Sequence, residues 1–424
     1  MAYARRIIDD ELDELFPHLA AIAIEGPKAI GKTATASQRA ATTLRVDDPA
    51  VRDLLRASLS GLDQLPTPIL LDEWQNAPEL WNHVKRLVDA DATGGRYLLT
   101  GSAAATGGID LHSGAGRIDI RRMRPLAFSE RGIQAPTVRL GDLLAGTAEP
   151  DGVTDVDTVT YVEEILASGF PAIRELAPRA RRSQLDSYLT RAISTDYPEQ
   201  EGTALRRPEA LRHWMTAYAA ATATTSSMNQ IARASQPGEP ALPSRPTIAR
   251  YRDILAELWI LDPVPAWLPN HNAFKRLAQA EKHFLADPAL AARLLKLNQA
   301  RLLDLSSPAE LRPHDGTAIG ALFEGLVALS LRTYAQANDA EVFHYRSPNG
   351  DREIDFIVVD DNGAHVAIEV KLARTVEPRH VKHLLWLKQQ LGDDLADMVV
   401  LNTGPYAYRR DDGVAVVPLA LLGH

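Results

Sequence analysis

Gly26-Pro27-Lys28-Ala29-Ile30-Gly31-Lys32-Thr33 follows the apolar run of residues 19–24 and precedes an alanine-rich segment that begins at Ala34. The stretch is a complete G-x-x-x-x-G-K-[ST] signature, and the pattern around it predicts a buried strand, a tight loop and a helix. The two glycines permit a loop of inward-pointing amides. Such amides, with the positive end of the following helix, can cradle a nucleotide's phosphates. Lys32 would reach the β- and γ-phosphates, and the Thr33 hydroxyl would bind Mg²⁺, so ATP and Mg²⁺ are the expected cofactors. The other reading of residues 26–33 is a Gly-rich turn that binds nothing.

Outside this loop, composition sets the bounds. A chain of 424 residues exceeds one ordinary core, so two or three domains are expected. With 45% hydrophobic and 24% charged residues it reads as a soluble globular protein. No apolar run of membrane-spanning length and no apolar segment behind a basic N-terminus stand out, which predicts a cytoplasmic protein without a membrane partner. The absence of cysteine excludes disulfides, thiolate zinc sites and cysteine nucleophiles. The twelve histidines show no zinc-ligand spacing. A net charge of −9 opposes global attraction to nucleic acid but leaves room for a local basic surface.

Residues 4–18 read as an amphipathic helix, 44–46 as a strand and 50–59 as a helix. Then Pro68-Ile69-Leu70-Leu71-Asp72-Glu73-Trp74-Gln75 is an apolar strand ending in adjacent carboxylates. Strand ends of a parallel sheet face the ligand crevice, so Asp72 can hold the Mg²⁺ shell while Glu73 orients and deprotonates water. After a helix at 79–89, a third strand over residues 95–102 ends in Thr100 and Ser102. Either hydroxyl could bond the γ-phosphate or the attacking water, or both are turn formers. Arg117, in Gly114-Ala115-Gly116-Arg117, precedes another strand; it is a phosphate contact in cis or in trans, or a surface residue.

These elements in this order, with Arg124-Pro125-Leu126-Ala127-Phe128-Ser129-Glu130, resemble a prokaryotic AAA-type ATPase family whose C-terminal half is an uncharacterised domain. Ser168-Gly169-Phe170-Pro171, Tyr188 and Asp196 extend the resemblance. It implies ATP binding, a sensor role for Thr100 or Ser102, and an arginine supplied by a neighbouring subunit, hence a homo-oligomer. Residues 1–135 are then the ATPase domain, and the Gly/Asp/Thr/Pro-rich residues 136–158 read as a linker.

Residues 159–300 read as helical. Residues 226–234 and 247–258, around a Pro/Ser/Gly-rich loop at 236–246, fit two helices of a winged helix or a plain packing domain. The resemblance favours the winged helix, with Trp259-Ile260-Leu261 opening the wing. Arg250 and Arg252 would then be DNA contacts. Lys275-Arg276-Leu277 and Lys282-His283-Phe284-Leu285-Ala286-Asp287 resemble that family's basic turn and strand. Arg179, Arg181, Arg182, Arg206 and Arg207 form either an anion-facing surface or a solvated helix face.

Residues 316–424 change character. A helix over 318–334 carries Glu324, and two later strands carry Glu353, Asp355, Glu369 and Lys371. Glu369 and Lys371 share one strand face and can converge with Asp355. Asp355 and Glu369 could bind Mg²⁺ while Lys371 activates water for attack on a phosphodiester. This order resembles the PD-(D/E)xK nuclease fold, with Glu324 and Glu353 as supporting carboxylates; such a core can also serve as a DNA-binding scaffold.

The expected fold is therefore α/β: an AAA-type P-loop parallel sheet, a helical or winged-helix middle and a nuclease-like α/β C-terminal domain. The expected function is a DNA-associated ATPase, plausibly on branched or broken DNA. The alternatives are a nucleotide-dependent switch that binds a protein and an ATP-gated endonuclease.

Overall fold

The apolar residues that precede the phosphate loop form β1 (Ala21–Glu25), which lies inside a five-stranded sheet. The computed structural model describes residues 3–101, 114–197, 207–235, 244–268, 280–303, 317–347 and 349–424. The companions of β1 are β2 (Thr42–Arg45), β3 (Ile69–Asp72), β4 (Tyr97–Gly101) and β5 (Asp119–Arg122), in the order β2-β3-β4-β1-β5. All four pairings are parallel. Side chains alternate across such a sheet, so each strand feeds two cores. Ala23, Leu71 and Leu99 meet Leu80, Trp81 and Val84 of the helix Glu79–Ala90 on one face. Ile22, Ile24, Leu70 and Leu98 join Ile7, Ile8 and Leu12 of the helix Ile7–Leu15 on the other.

This second core does not stop at the five-stranded sheet. It runs without interruption through the helices Thr158–Ala167, Pro208–Ala220, Arg245–Glu257 and Pro288–Leu294 into the C-terminal half. The helix Thr317–Gln336 contributes Leu322, Phe323, Leu326, Val327, Leu331 and Tyr334 to it. By length and apolar composition the segment Ala318–Gln336 could cross a membrane, which differs from the expectation of no such run. Here most of it is buried as a core helix.

The stretch 136–158 corrects the expectation of a linker. It contains β6 (Val138–Arg139), the helix Leu140–Leu144 and β7 (Gly152–Val153). Its Val138, Leu140, Leu143, Leu144 and Val156 are buried in the shared core, whereas its Val153 is exposed. Its backbone covers sheet edges that would otherwise present unpaired amides. β6 pairs with β14 (Leu422–Gly423), and β7 pairs with β12 (Tyr406–Arg409).

The C-terminal sheet runs β7-β12-β13-β11-β10-β9-β8, with β8 (Ala340–Arg346), β9 (Glu353–Asp360), β10 (His365–Val370), β11 (Leu395–Asn402) and β13 (Ala415–Pro418). β8, β9 and β10 form an antiparallel meander. The helix Pro378–Leu391 then crosses to β11, which is parallel to β10.

In the middle region the helices Pro208–Ala220, Met228–Ala234 and Arg245–Glu257 are followed by a short antiparallel ribbon, bridged at Leu261–Leu285 and Val264–Lys282. Residues 236–243 of the intervening loop and Lys275-Arg276-Leu277 lie outside the described residues.

Asp262 on that ribbon ties the regions together. Its carboxylate, buried with 5% of its surface exposed, lies 3.0 Å from Arg122 and 3.0 Å from Arg124, both just past or at the end of β5. Arg332, from the helix Thr317–Gln336, stands 2.5 Å away and also donates to the Asp262 and Pro263 carbonyls. Burial would raise the Asp262 pKa, but Arg122, Arg332 and Arg124 outweigh it and hold the carboxyl well below its usual range. Removing one partner from a buried ionic cluster leaves charge uncompensated. Asp262→Ala should therefore destabilise the fold by about 3–5 kcal/mol. A denaturation midpoint unchanged from the native chain would contradict this.

Candidate functional site

Parallel register brings the nucleotide-site residues to one rim. Asp72 pairs with Thr100 across β3 and β4, while Ile24 pairs with Thr100 and Glu25 with Gly101 across β1 and β4. The strand ends next to the phosphate loop thus carry a carboxylate and a hydroxyl side by side. Asp72 Oδ1 accepts hydrogen bonds from Thr33 Oγ1 and Thr100 Oγ1, each at 2.6 Å. These are hard oxygen donors of the kind Mg²⁺ takes, so the residues present fit that ion.

The loop needs both of its glycines. Gly26 has φ 149° and packs so tightly that a Cβ there would stand 2.1 Å from the Met123 carbonyl oxygen. Gly31, at φ 101°, starts the helix Lys32–Ser37. Ala29 also has positive φ. From behind, Arg6 donates to the Ile30 and Arg124 carbonyls and pairs with Glu130 at 2.9 Å. Nothing in its sequence context marked Arg6 for that task.

Lys32 is 5% exposed, and its ammonium donates to the carbonyls of Gly26 at 2.9 Å and Pro27 at 2.7 Å. Burial pushes its pKa down to about 8, against the pull of Glu73 and Asp72. Lys28 leaves the loop in the other direction and pairs with Asp196 of the middle region at 2.7 Å. Glu73 turns out of β3 in the left-handed region, φ 56°, a conformation costing a non-glycine residue on the order of 1–3 kcal/mol. The Gln75 amide donates to its carboxylate. The left-handed turn and this bond fix Glu73 beside Asp72.

Two candidates of this site stand apart. Ser102 lies outside the described residues. Arg117 precedes β5, whereas the loop follows the other end of β1, so the sheet separates the two; Arg117 pairs with Asp89 at 2.8 Å. A contact from Arg117 to phosphate in cis is therefore corrected by topology.

The second constellation does assemble. Lys371 Nζ lies 2.5 Å from Glu369 Oε1 and 4.0 Å from Asp355 Oδ2. Sequence reasoning missed the residue at its centre. Lys282 Nζ, 1% exposed, stands 2.5 Å from Glu324, 2.9 Å from Asp355 and 3.5 Å from Glu353. Asp355 Oδ2 also accepts from the Val370 amide at 2.9 Å. Burial lifts the carboxyls of Glu324 and Glu369 to about 8, with Asp355 adding to both. For Asp355 burial is outweighed by Lys282 and Lys371, and its pKa falls. Among the described residues no group of three or more carboxylate or imidazole side chains is arranged to hold a metal ion. At the expected Asp355–Glu369 metal site, Lys282 lies against Asp355 Oδ1 and Lys371 against Glu369 Oε1.

Of the basic residues, Arg179 and Arg182 are exposed, whereas Arg181 is turned inward on the Arg174 and Leu176 carbonyls. Arg207 is exposed, and Arg206 lies outside the described residues. Arg250 is on the outer side of the helix Arg245–Glu257, and Arg252 pairs with Asp253 at 2.8 Å. Ser168 and Gly169 are anchored by buried Asp287, at 2.7 Å and 2.6 Å.

Three family profiles divide the chain. Residues 19–132 match an AAA domain, 158–301 a domain of unknown function (DUF8612) and 319–422 another (DUF4143). The first match and the parallel sheet agree on an AAA-type P-loop domain. The chain is also similar to two uncharacterized proteins, from Mycobacterium bovis and Mycobacterium tuberculosis. Each is 24% identical over 403 residues, 94% of this chain and 79% of the relative.

The depressed Lys32 pKa has a measurable consequence. Above about pH 8 the free loop carries neutral Lys32, and a bound polyphosphate restores the ammonium by charge attraction. Nucleotide binding should take up about one proton at pH 9 and almost none at pH 7, weakening as pH rises through that window. Calorimetry in buffers of different ionisation enthalpy reads this directly; equal proton counts at the two pH values would refute it.

Proposed function

We propose that this protein is a Mg²⁺-dependent ATPase that works on or with DNA, its nucleotide state passed through the Asp262 cluster to the helical and C-terminal regions. The observation that carries the ATPase reading is the convergence of the Thr33 and Thr100 hydroxyls on one Asp72 oxygen, beside Lys32 and Glu73. Thr33 and Asp72 would hold the metal. When bound, Mg²⁺ would supply charge neutralisation at the phosphates. Lys32 moves its ammonium from the loop carbonyls to the β- and γ-phosphates, Thr100 orients the attacking water, and Glu73 takes its proton. The residues 26–31 offer backbone amides to the phosphates.

The DNA part of the reading is supported by the order of three helices and a ribbon in the middle region, which suits a winged helix, with Arg250 and Arg252 on its second motif helix. Helix, meander, helix and parallel strand in the C-terminal sheet suit a nuclease-like scaffold. Phosphate contacts without base readout would fit a remodeller of branched or broken DNA. A trans arginine, Arg117 or another, would require a homo-oligomer. The net charge of −9 favours a second reading, a nucleotide-dependent switch that binds a protein.

ATP turnover with Mg²⁺, measured alone and with single-stranded, duplex and four-way-junction DNA, tests both. Lys32→Ala should lower turnover by about a hundredfold or more, and one DNA form should stimulate the native chain. Hydrolysis that ignores every DNA form would leave the switch as the reading; no hydrolysis at all would remove the ATPase.

A further inference from the structure

We propose that Lys282 is a built-in cation, its ammonium held by Asp355 and by the supporting carboxylates Glu324 and Glu353, so that the C-terminal carboxylate cluster works as a metal-free ion-paired core. The inference is independent of the ATPase reading, since the two sites share no residue.

The geometry excludes a shared occupancy. Mg²⁺ requires near-octahedral oxygens at about 2.0–2.1 Å. Lys282 Nζ already sits within 3.5 Å of Glu324, Glu353 and Asp355, drawn from the helix Thr317–Gln336 and β9. Asp355 gives one oxygen to Lys282 and the other to the Val370 amide. Lys371 covers Glu369 Oε1, which leaves Glu369 Oε2 buried without a hydrogen-bond partner. The two nearby ammonium groups repel a divalent ion and compete with it for these oxygens.

Nor is Lys282 a loose arm that happens to rest there. Its own backbone exchanges both hydrogen bonds with Val264, each at 2.9 Å. Two residues on, the Phe284 carbonyl accepts from the Asp262 amide at 2.9 Å. The next residue, His283, is held through its amide by the Thr224 carbonyl and contacts the Ser226 carbonyl through its ring. The ammonium also lies 5.6 Å from the centre of the Phe356 ring. Withdrawing Lys282 therefore means opening the ribbon that carries Asp262. With the lysine in place, the metal-activated water that phosphodiester hydrolysis needs has nowhere to form, and the sheet serves as scaffold.

The test is Mn²⁺ binding to the full-length, nucleotide-free chain, followed by the loss of the free-ion paramagnetic resonance signal. The native protein and Asp355→Asn should bind Mn²⁺ equally. Lys282→Ala should gain a site at least tenfold tighter than any in the native chain, and Lys282→Ala/Asp355→Asn should lose it again. Mn²⁺ should also raise the thermal midpoint of Lys282→Ala but not of the native chain. A native Mn²⁺ site that Asp355→Asn removes would overturn the proposal, as would Mg²⁺-dependent strand cleavage lost in Asp355→Asn. If Lys282→Ala does not fold, the native chain and Asp355→Asn alone still decide between the two outcomes.

Discussion

The ion cluster around Asp262 is the constraint on which the relation between the three regions depends. One buried carboxylate faces three guanidinium groups, two from the end of the N-terminal parallel sheet and one from the long C-terminal helix. Such a cluster is tolerated inside a protein only when its partners are held in place, because each unpaired charge would be costly. Here the holding is done by the Arg332 bonds to the Asp262 and Pro263 carbonyls and by the stacking of Arg122 over Trp259, 4.5 Å from the ring centre. Burial presses the pKa of Arg122 down to about 9 and that of Arg332 to about 10, and Asp262 opposes the shift in both.

The cluster also lies next to the nucleotide loop. Met123, between Arg122 and Arg124, presses its carbonyl against Gly26, and Arg6 bonds both the loop and the Arg124 carbonyl. The same ribbon that carries Asp262 delivers Lys282 to the carboxylates of the C-terminal sheet. A continuous line of packed backbone and ion pairs therefore joins the two constellations.

The two constellations use similar ingredients to opposite ends. At the nucleotide loop, Lys32 rests on backbone carbonyls and leaves Asp72 bonded only to hydroxyls, ligands that can share a cation. At the C-terminal sheet, the lysines rest on the carboxylates themselves. Where the ammonium sits decides whether a cluster of acids is open to a metal.

How much of this was legible beforehand depended on how local the signal was. The phosphate loop, β3 with Asp72 and Glu73, and the convergence of Glu369, Lys371 and Asp355 follow from glycine placement and from the period of two along a strand, which are properties of short stretches. The pairing of Thr100 with Asp72 was half visible, since the strand end could be read but its register could not. By contrast, in the sequence Lys282 reads only as part of a basic strand, residues 136–158 read as a linker, and Arg117 reads as available to phosphate. Each error has one origin: burial, edge pairing and the end of a sheet on which a residue falls are set by partners distant in the chain or by topology. The sequence by itself determined the chemistry of the nucleotide loop, because that chemistry needs only neighbours in the chain. Only the tertiary structure decided that the second cluster is closed by its own lysine and that one aspartate binds three regions, because those contacts exist only once distant segments are packed together.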